Sequence, residues 1–190
     1  MNNYEPKVIP NNVMDFLKKC SEDIGNFQND NSNQFIWNRI QDYIDSPIEQ
    51  LMYCALYTVA YLNQFSMAEP FNIGNKTYLS GISILPQVEI GNYRVDFLIE
   101  FHQLTYIDEH PRKTQVIVEC DSQQFHDRTE KERRYEKQRD RYLQSKGYKV
   151  FRFTGSEIVK NPLPLAAEII SIVTDTPIED LQINSSGEGI

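Results

Sequence analysis

Residues Gln115–His126 read Gln-Val-Ile-Val-Glu-Cys-Asp-Ser-Gln-Gln-Phe-His, an apolar run that ends abruptly in charge. On a strand, Glu119 and Asp121 point to one face and Cys120 to the other. Two neighbouring carboxylates raise each other's pKa, and a divalent cation relieves that cost because hard metals take carboxylate oxygens. The alternative is a strand end that meets water. Asp96 is a second signal, an isolated acid inside the apolar run Tyr93–Phe101, and few structural roles call for one there. Glu49 follows Ser46-Pro47-Ile48, where a helix-capping Glu is a sufficient explanation. If the strands carrying Asp96 and Glu119 are neighbours, Asp96, Glu119 and Asp121 converge on one sheet face, with Glu49 brought in by a packed helix. Such a cluster can hold Mg²⁺ or Mn²⁺ through carboxylates plus water, and activate a water for attack on a phosphodiester. His126 is either a general acid for the leaving oxygen or a surface residue.

Positioning these side chains needs a particular set of elements. Ser46 as N-cap and Pro47 at the first helical position start a helix. Its apolar stripe runs through Ile48, Leu51, Met52, Ala55, Leu56, Val59 and Leu62 to about Phe65. Residues 69–78, with Pro70 and Gly74, read as a connection. Ile82–Ile90 and Tyr93–Phe101 read as a hairpin around Gly91-Asn92. Pro86 and Gln87 place the first of these strands at an edge or on a bulge. Alternation puts Arg94, Asp96 and Leu98 on one face of the second strand, and Val95, Phe97 and Ile99 on the other. Gln115–Asp121 is the third strand. A charged helix spans about Arg128 to Lys146 and stops at Gly147. Tyr135, Arg139, Tyr142, Leu143 and Lys146 form its sheet-facing stripe, Lys131 lies on the same side, and Arg133 and Lys137 face away. Lys149–Phe153 is a fourth strand, and Pro164–Thr174 a last amphipathic helix. The expected fold is α/β, an αβββαβ core with a mixed four-stranded sheet flanked by helices and extra helices at both ends. The expected division is an N-terminal arm and helices over residues 1–45, a domain over 46–175, and a tail over 176–190, disordered from Gln182.

Composition narrows the setting. A chain of 190 residues is long enough for one well-buried domain and short for two. No apolar run is long enough to span a membrane. Cys20, Cys54 and Cys120 are dispersed with no Cys-x-x-Cys, so a reducing cytoplasm fits and disulfides or a zinc knuckle do not. Net charge is −8, yet His126–Arg152 carries ten Lys/Arg against five Asp/Glu, leaving −13 for the remainder. A basic strip next to paired acids suits a site that handles phosphodiesters, although a solvated helix face would read the same way.

Asp96…Glu119-x-Asp121, within this element order, resembles the PD-(D/E)XK nuclease superfamily. More narrowly, the chain is similar to the small endonuclease-like domains related to very-short-patch-repair endonucleases. The resemblance runs through Ser46–Leu51, Gln87–Phe97, Val118–Asp121 with Phe125-His126, Arg139–Gln144 and Gly147–Ile158, covering roughly residues 46–175. It implies that Asp96 and Glu119 are metal ligands, that Glu49 is the helix-borne acid, and that Gln87 contacts the site. The superfamily's lysine, two after Glu119, is replaced by Asp121, so the cation must come from elsewhere, with Lys131 or Arg139 as the choices. Ser122 stands where this branch tends to have Gly.

Three functions compete. One is a metal-dependent DNA endonuclease, another an inactive nuclease-fold module binding nucleic acid or a protein, and the third a partner domain without nucleic acid. Retention of Asp96, Glu119 and Glu49 favours the first. Arg133, Arg134, Lys137, Arg141 and Arg152 offer phosphate contacts that position a backbone without reading sequence. Targeting would then fall to a helicase or methylase partner.

Overall fold

In the computed structural model, the described residues are Asp15, Ile44, 46–67, 69–73, 76–103, 112–121 and 129–183. Helix α1 (Pro47–Leu62) leads into β1 (Glu69–Ile73), β2 (Lys76–Ile90), β3 (Tyr93–Gln103) and β4 (Arg112–Asp121). Helix α2 (Glu130–Ser145), β5 (Lys149–Thr154), α3 (Gly155–Lys160) and α4 (Pro162–Thr174) follow, with a short 3₁₀ turn at Ile178–Asp180.

Val116, Ile117, Val118, Glu119 and Cys120 are all buried, as expected for a strand covered on both faces. β4 pairs antiparallel with β3 and parallel with β5, and β3 pairs antiparallel with β2. These four strands make the expected mixed sheet. The segment 69–78 is not a plain connection: β1 forms a hairpin with the start of β2, giving the order β1-β2-β3-β4-β5. Pairing supplied by β2 overrides the breaker signal of Pro70, which falls inside β1. β1 reaches only as far as Ser80, so Pro86 lies where β2 is an edge and no ladder bond is lost.

Two cores flank the sheet. The larger packs α1, α3 and α4 on one face, through Met52, Leu56, Val59, Ile158, Ile169 and Ile170 against Ile82, Phe97, Ile99, Val116 and Val118. The smaller joins Val95, Leu98, Ile117 and Leu143 beneath α2. Val95 thus belongs with Leu98 and not with Phe97 and Ile99, so the alternation of β3 breaks around Asp96.

Helix ends follow local chemistry. Thr129 caps α2 reciprocally with Glu132, Thr154 caps α3 with Glu157, and Gly147 takes a positive φ after α2. Residues 176–183, read as part of a tail, are tied down through Gln182: the Asn63 amide donates to the Gln182 carbonyl and accepts its N–H, while Leu181 enters the larger core. The arm and helices expected over residues 1–45 lie outside the described residues, apart from Asp15 and the buried Ile44. Among the described residues no helix is long and apolar enough to cross a membrane.

Candidate active site

The β3–β4 ladder ends at the pair Phe97–Val118. Beyond it the strands part, and Asp96 Oδ2 accepts the Cys120 N–H at 2.7 Å. A carboxylate therefore fills the place of a ladder partner at the mouth of a sheet. Glu119 is 5% exposed and faces α2, where its Oε1 accepts from Arg139 Nη2. The same Nη2 donates to the Arg94 carbonyl at 3.1 Å, which braces the guanidinium between helix and strand. Cys120 turns to the opposite face and joins the larger core.

Glu49 enters from the first turn of α1. Ser46 makes no side-chain cap there, and the carboxylate accepts from Gln87 Nε2 at 2.5 Å. Gln87 Oε1 in turn accepts from Arg94 Nε. Gln87 has φ 56°, a left-handed conformation that costs energy for a residue with a side chain. It lies between the ladder pairs Pro86–Phe97 and Val88–Val95, directly across from Asp96. The strain turns its amide between Glu49 and Arg94.

These groups form one electrostatic cluster. Burial raises the Glu49 carboxyl to about 7, with Asp96 adding to the rise. Burial also raises Asp96, against the Cys120 N–H and Arg139, and Asp121 pushes it further. Burial raises Glu119 as well, opposed mainly by its bond to Arg139, while Asp96 adds to the rise. Burial and the four surrounding acids push the Cys120 thiol far up, so it stays a neutral core side chain. Arg152 pairs with Asp140 through both guanidinium amino groups, and is the ladder partner of Glu119.

Clustered, desolvated carboxylates are the hard-oxygen donors that Mg²⁺ or Mn²⁺ takes, and the repulsion among them is what such a cation relieves. Among the described residues, however, no group of three or more His, Cys, Asp or Glu is gathered into a ready metal cage. The donors fit a cation held by few carboxylates and completed by water, not one fully enclosed by protein.

The structure thus brings Glu49, Gln87, Asp96, Glu119, Asp121 and Arg139 together. Lys131 is exposed near the start of α2, whereas Arg139 reaches the acids. Arg133, Arg134, Lys137 and Arg141 are exposed on α2, with Arg134 paired to Glu130 at 2.6 Å. His126 and Ser122 lie outside the described residues. Arg94 is the participant that sequence reading passed over. Its position beside Asp96 was readable, but its bond to Gln87 depends on a backbone twist that no residue type announces.

The family model REase_MTES_1575 matches residues 73–173, taking in β2 through most of α4 and leaving Glu49 outside the match. A Haemophilus influenzae protein described as an uncharacterized protein is 34% identical over 91 residues, 48% of this chain and 47% of that protein. The chain thus spans about half the length of this curated relative. No solved structure matches.

Proposed function

The chain belongs to the REase_MTES_1575 family of restriction-endonuclease-like domains, and from that premise we propose that it is a divalent-metal-dependent nuclease that hydrolyses phosphodiester bonds in DNA. The observation that carries this reading is the cluster of buried and half-buried acids at the parted ends of β3 and β4, with Arg139 bonded into it. We assign it to the PD-(D/E)XK type, in its very-short-patch-repair-related branch, with Asp121 at the usual lysine position.

Asp96 and Glu119, with Glu49 and Asp121 as further oxygen donors, would hold Mg²⁺ or Mn²⁺, which supplies Lewis-acid polarisation of the phosphate and an acidified water. The chain's own residues prepare that site. The Cys120 N–H fixes one Asp96 oxygen, and Gln87 fixes one Glu49 oxygen. Arg139 supplies the fixed positive charge that a lysine would otherwise bring, and its guanidinium can fork between Glu119 and a phosphoryl oxygen. Exposed cations along α2 hold the flanking backbone, and targeting falls to a partner such as a helicase or methylase.

A second reading, an inactive nuclease-fold module that binds nucleic acid or a protein partner, is favoured by one feature. Arg139 is bonded to Glu119 Oε1, so part of the negative charge that would attract a metal is already neutralised by the protein's own cation. Purified protein incubated with supercoiled plasmid and with single-stranded DNA, in Mg²⁺, Mn²⁺ or EDTA, separates the two. The nuclease reading expects metal-dependent cleavage that falls about 100-fold or more in Asp96→Asn and in Glu119→Gln. Cleavage that survives both substitutions overturns the site, and binding without cleavage selects the inactive module.

A further inference from the structure

Tyr93, at the start of β3, lies against two rings of α2. Its centroid is 5.6 Å from that of Tyr135 and 5.3 Å from that of Tyr142, with interplanar angles of 59° and 51°. Lys146 Nζ lies 5.6 Å from the Tyr142 centroid. Tyr142 packs tightly, since a Cβ at Gly91 would come 2.2 Å from its hydroxyl oxygen. Tyr135 does not. It is 55% exposed, although an aromatic ring used only as packing gains by leaving water. Two lysines border the cluster: Lys131 stands one turn before Tyr135 and Lys146 one turn after Tyr142, while Arg94, next to Tyr93 on β3, turns to the other face of the strand and bonds Gln87. Arg94 and Arg139 thus tie the elements that carry this surface to Gln87 and Glu119 of the acid cluster.

An exposed ring backed by two more, with positive charge on its margins, has the chemistry of a base-stacking surface bordered by phosphate contacts. In a duplex the base faces are already stacked on one another, so only an unpaired base can offer its face to Tyr135. We propose that Tyr93, Tyr135 and Tyr142 form a stacking platform for an unpaired base of a single-stranded nucleic acid, with Lys131 and Lys146 holding the neighbouring phosphates. The platform delivers that strand to the acids, so the substrate class is single-stranded or locally opened nucleic acid. This assignment rests on the nuclease reading for its purpose, but not for its test.

The test is fluorescence anisotropy on the full chain in EDTA, with a labelled single-stranded DNA about 15 nucleotides long, near the upper site size of such surfaces, and with its duplex. Tyr135→Ala is expected to weaken single-strand binding about tenfold while Tyr135→Phe keeps it and duplex binding moves in neither. Tyr135→Ala also removes the ring contact with Tyr93, so its thermal midpoint should fall by a few degrees while that of Tyr135→Phe matches the parent, and binding is compared at a temperature where both are folded. Unchanged single-strand binding in Tyr135→Ala, equal loss on both probes, or no single-strand binding by the parent protein overturns the platform. The two readings fail separately. Tyr135-dependent binding without cleavage in Mg²⁺ or Mn²⁺ overturns the nuclease and keeps the platform, whereas cleavage with Tyr135-independent binding does the reverse.

Discussion

Glu49, Asp96 and Glu119 share a burden that any residue-scale account must explain: each carboxyl is raised, chiefly because burial strips water from its charge. Their compensation differs. Glu119 has an arginine, Asp96 a backbone N–H, and Glu49 only neutral donors with Arg94 at a distance. Glu49 is therefore the acid whose removal should stabilise the metal-free fold. Its folded pKa, about 7, lies above the unfolded value, so its contribution is fully present below the usual carboxylate range and lost as pH rises through 7. In EDTA, Glu49→Gln should melt with the parent at pH 4 and higher at pH 8, by about 1–2 kcal/mol once solvent screening is discounted, or roughly 2–8 °C. Equal melting temperatures at both pH values would refute the strain assigned to this acid. Glu119→Gln should not show the same gain, because it leaves the Arg139 charge half-buried without its partner.

At the scale of elements, α2 is fastened to the β2–β3 hairpin through the tyrosine cluster, and Arg139 rides on that helix. Gly91 is the tightest point. It has φ 64°, and a Cβ there would meet the Tyr142 hydroxyl oxygen at 2.2 Å and its ring at 2.8 Å. Gly91→Ala should cost about 1–3 kcal/mol, from left-handed strain together with displacement of the ring. Adding Tyr142→Phe removes the closest atom, so the double variant should recover part of the loss in denaturant unfolding. Strict additivity would show that strain alone is at work. The Gly-Asn turn, the apolar run of β4 and the glycine after α2 were legible because each is local chemistry. Asp96 and Glu119 stood out as candidates for a related reason, since an acid in an apolar strand is conspicuous without knowing its neighbours. Of the stripe expected to face the sheet from α2, Leu143 is buried and Arg139 and Tyr142 are partly so, whereas Tyr135 and Lys146 are exposed. β1 was not legible, because pairing with β2 and not its own residues makes it a strand. The break in β3 alternation was hidden for a similar reason: it arises where two strands part, with Gln87 strained opposite Asp96. Arg94 fell out of view with it, and so did Tyr93 as the partner of Tyr135 and Tyr142.

Across the whole molecule, the site depends on a helix whose far end is secured by the chain's last described residues. Helix α1 carries Glu49 in its first turn and ends beside Asn63, whose amide holds Gln182 by reciprocal bonds of 2.9 and 2.8 Å. Leu181, 8% exposed, packs into the same core that seats α1 and α4 against the sheet. A segment beyond the family match, which ends at residue 173, thus stabilises a helix that begins before it. Leu181→Ala should cost about 2–4 kcal/mol through lost burial and a residual cavity, while the exposed Ile178→Ala should cost less than about 1 kcal/mol. Both values can be read from urea unfolding at unchanged slope. If the two substitutions cost the same, residues 176–183 rest on the core without contributing to it, and α1 is held by α4 and the sheet alone.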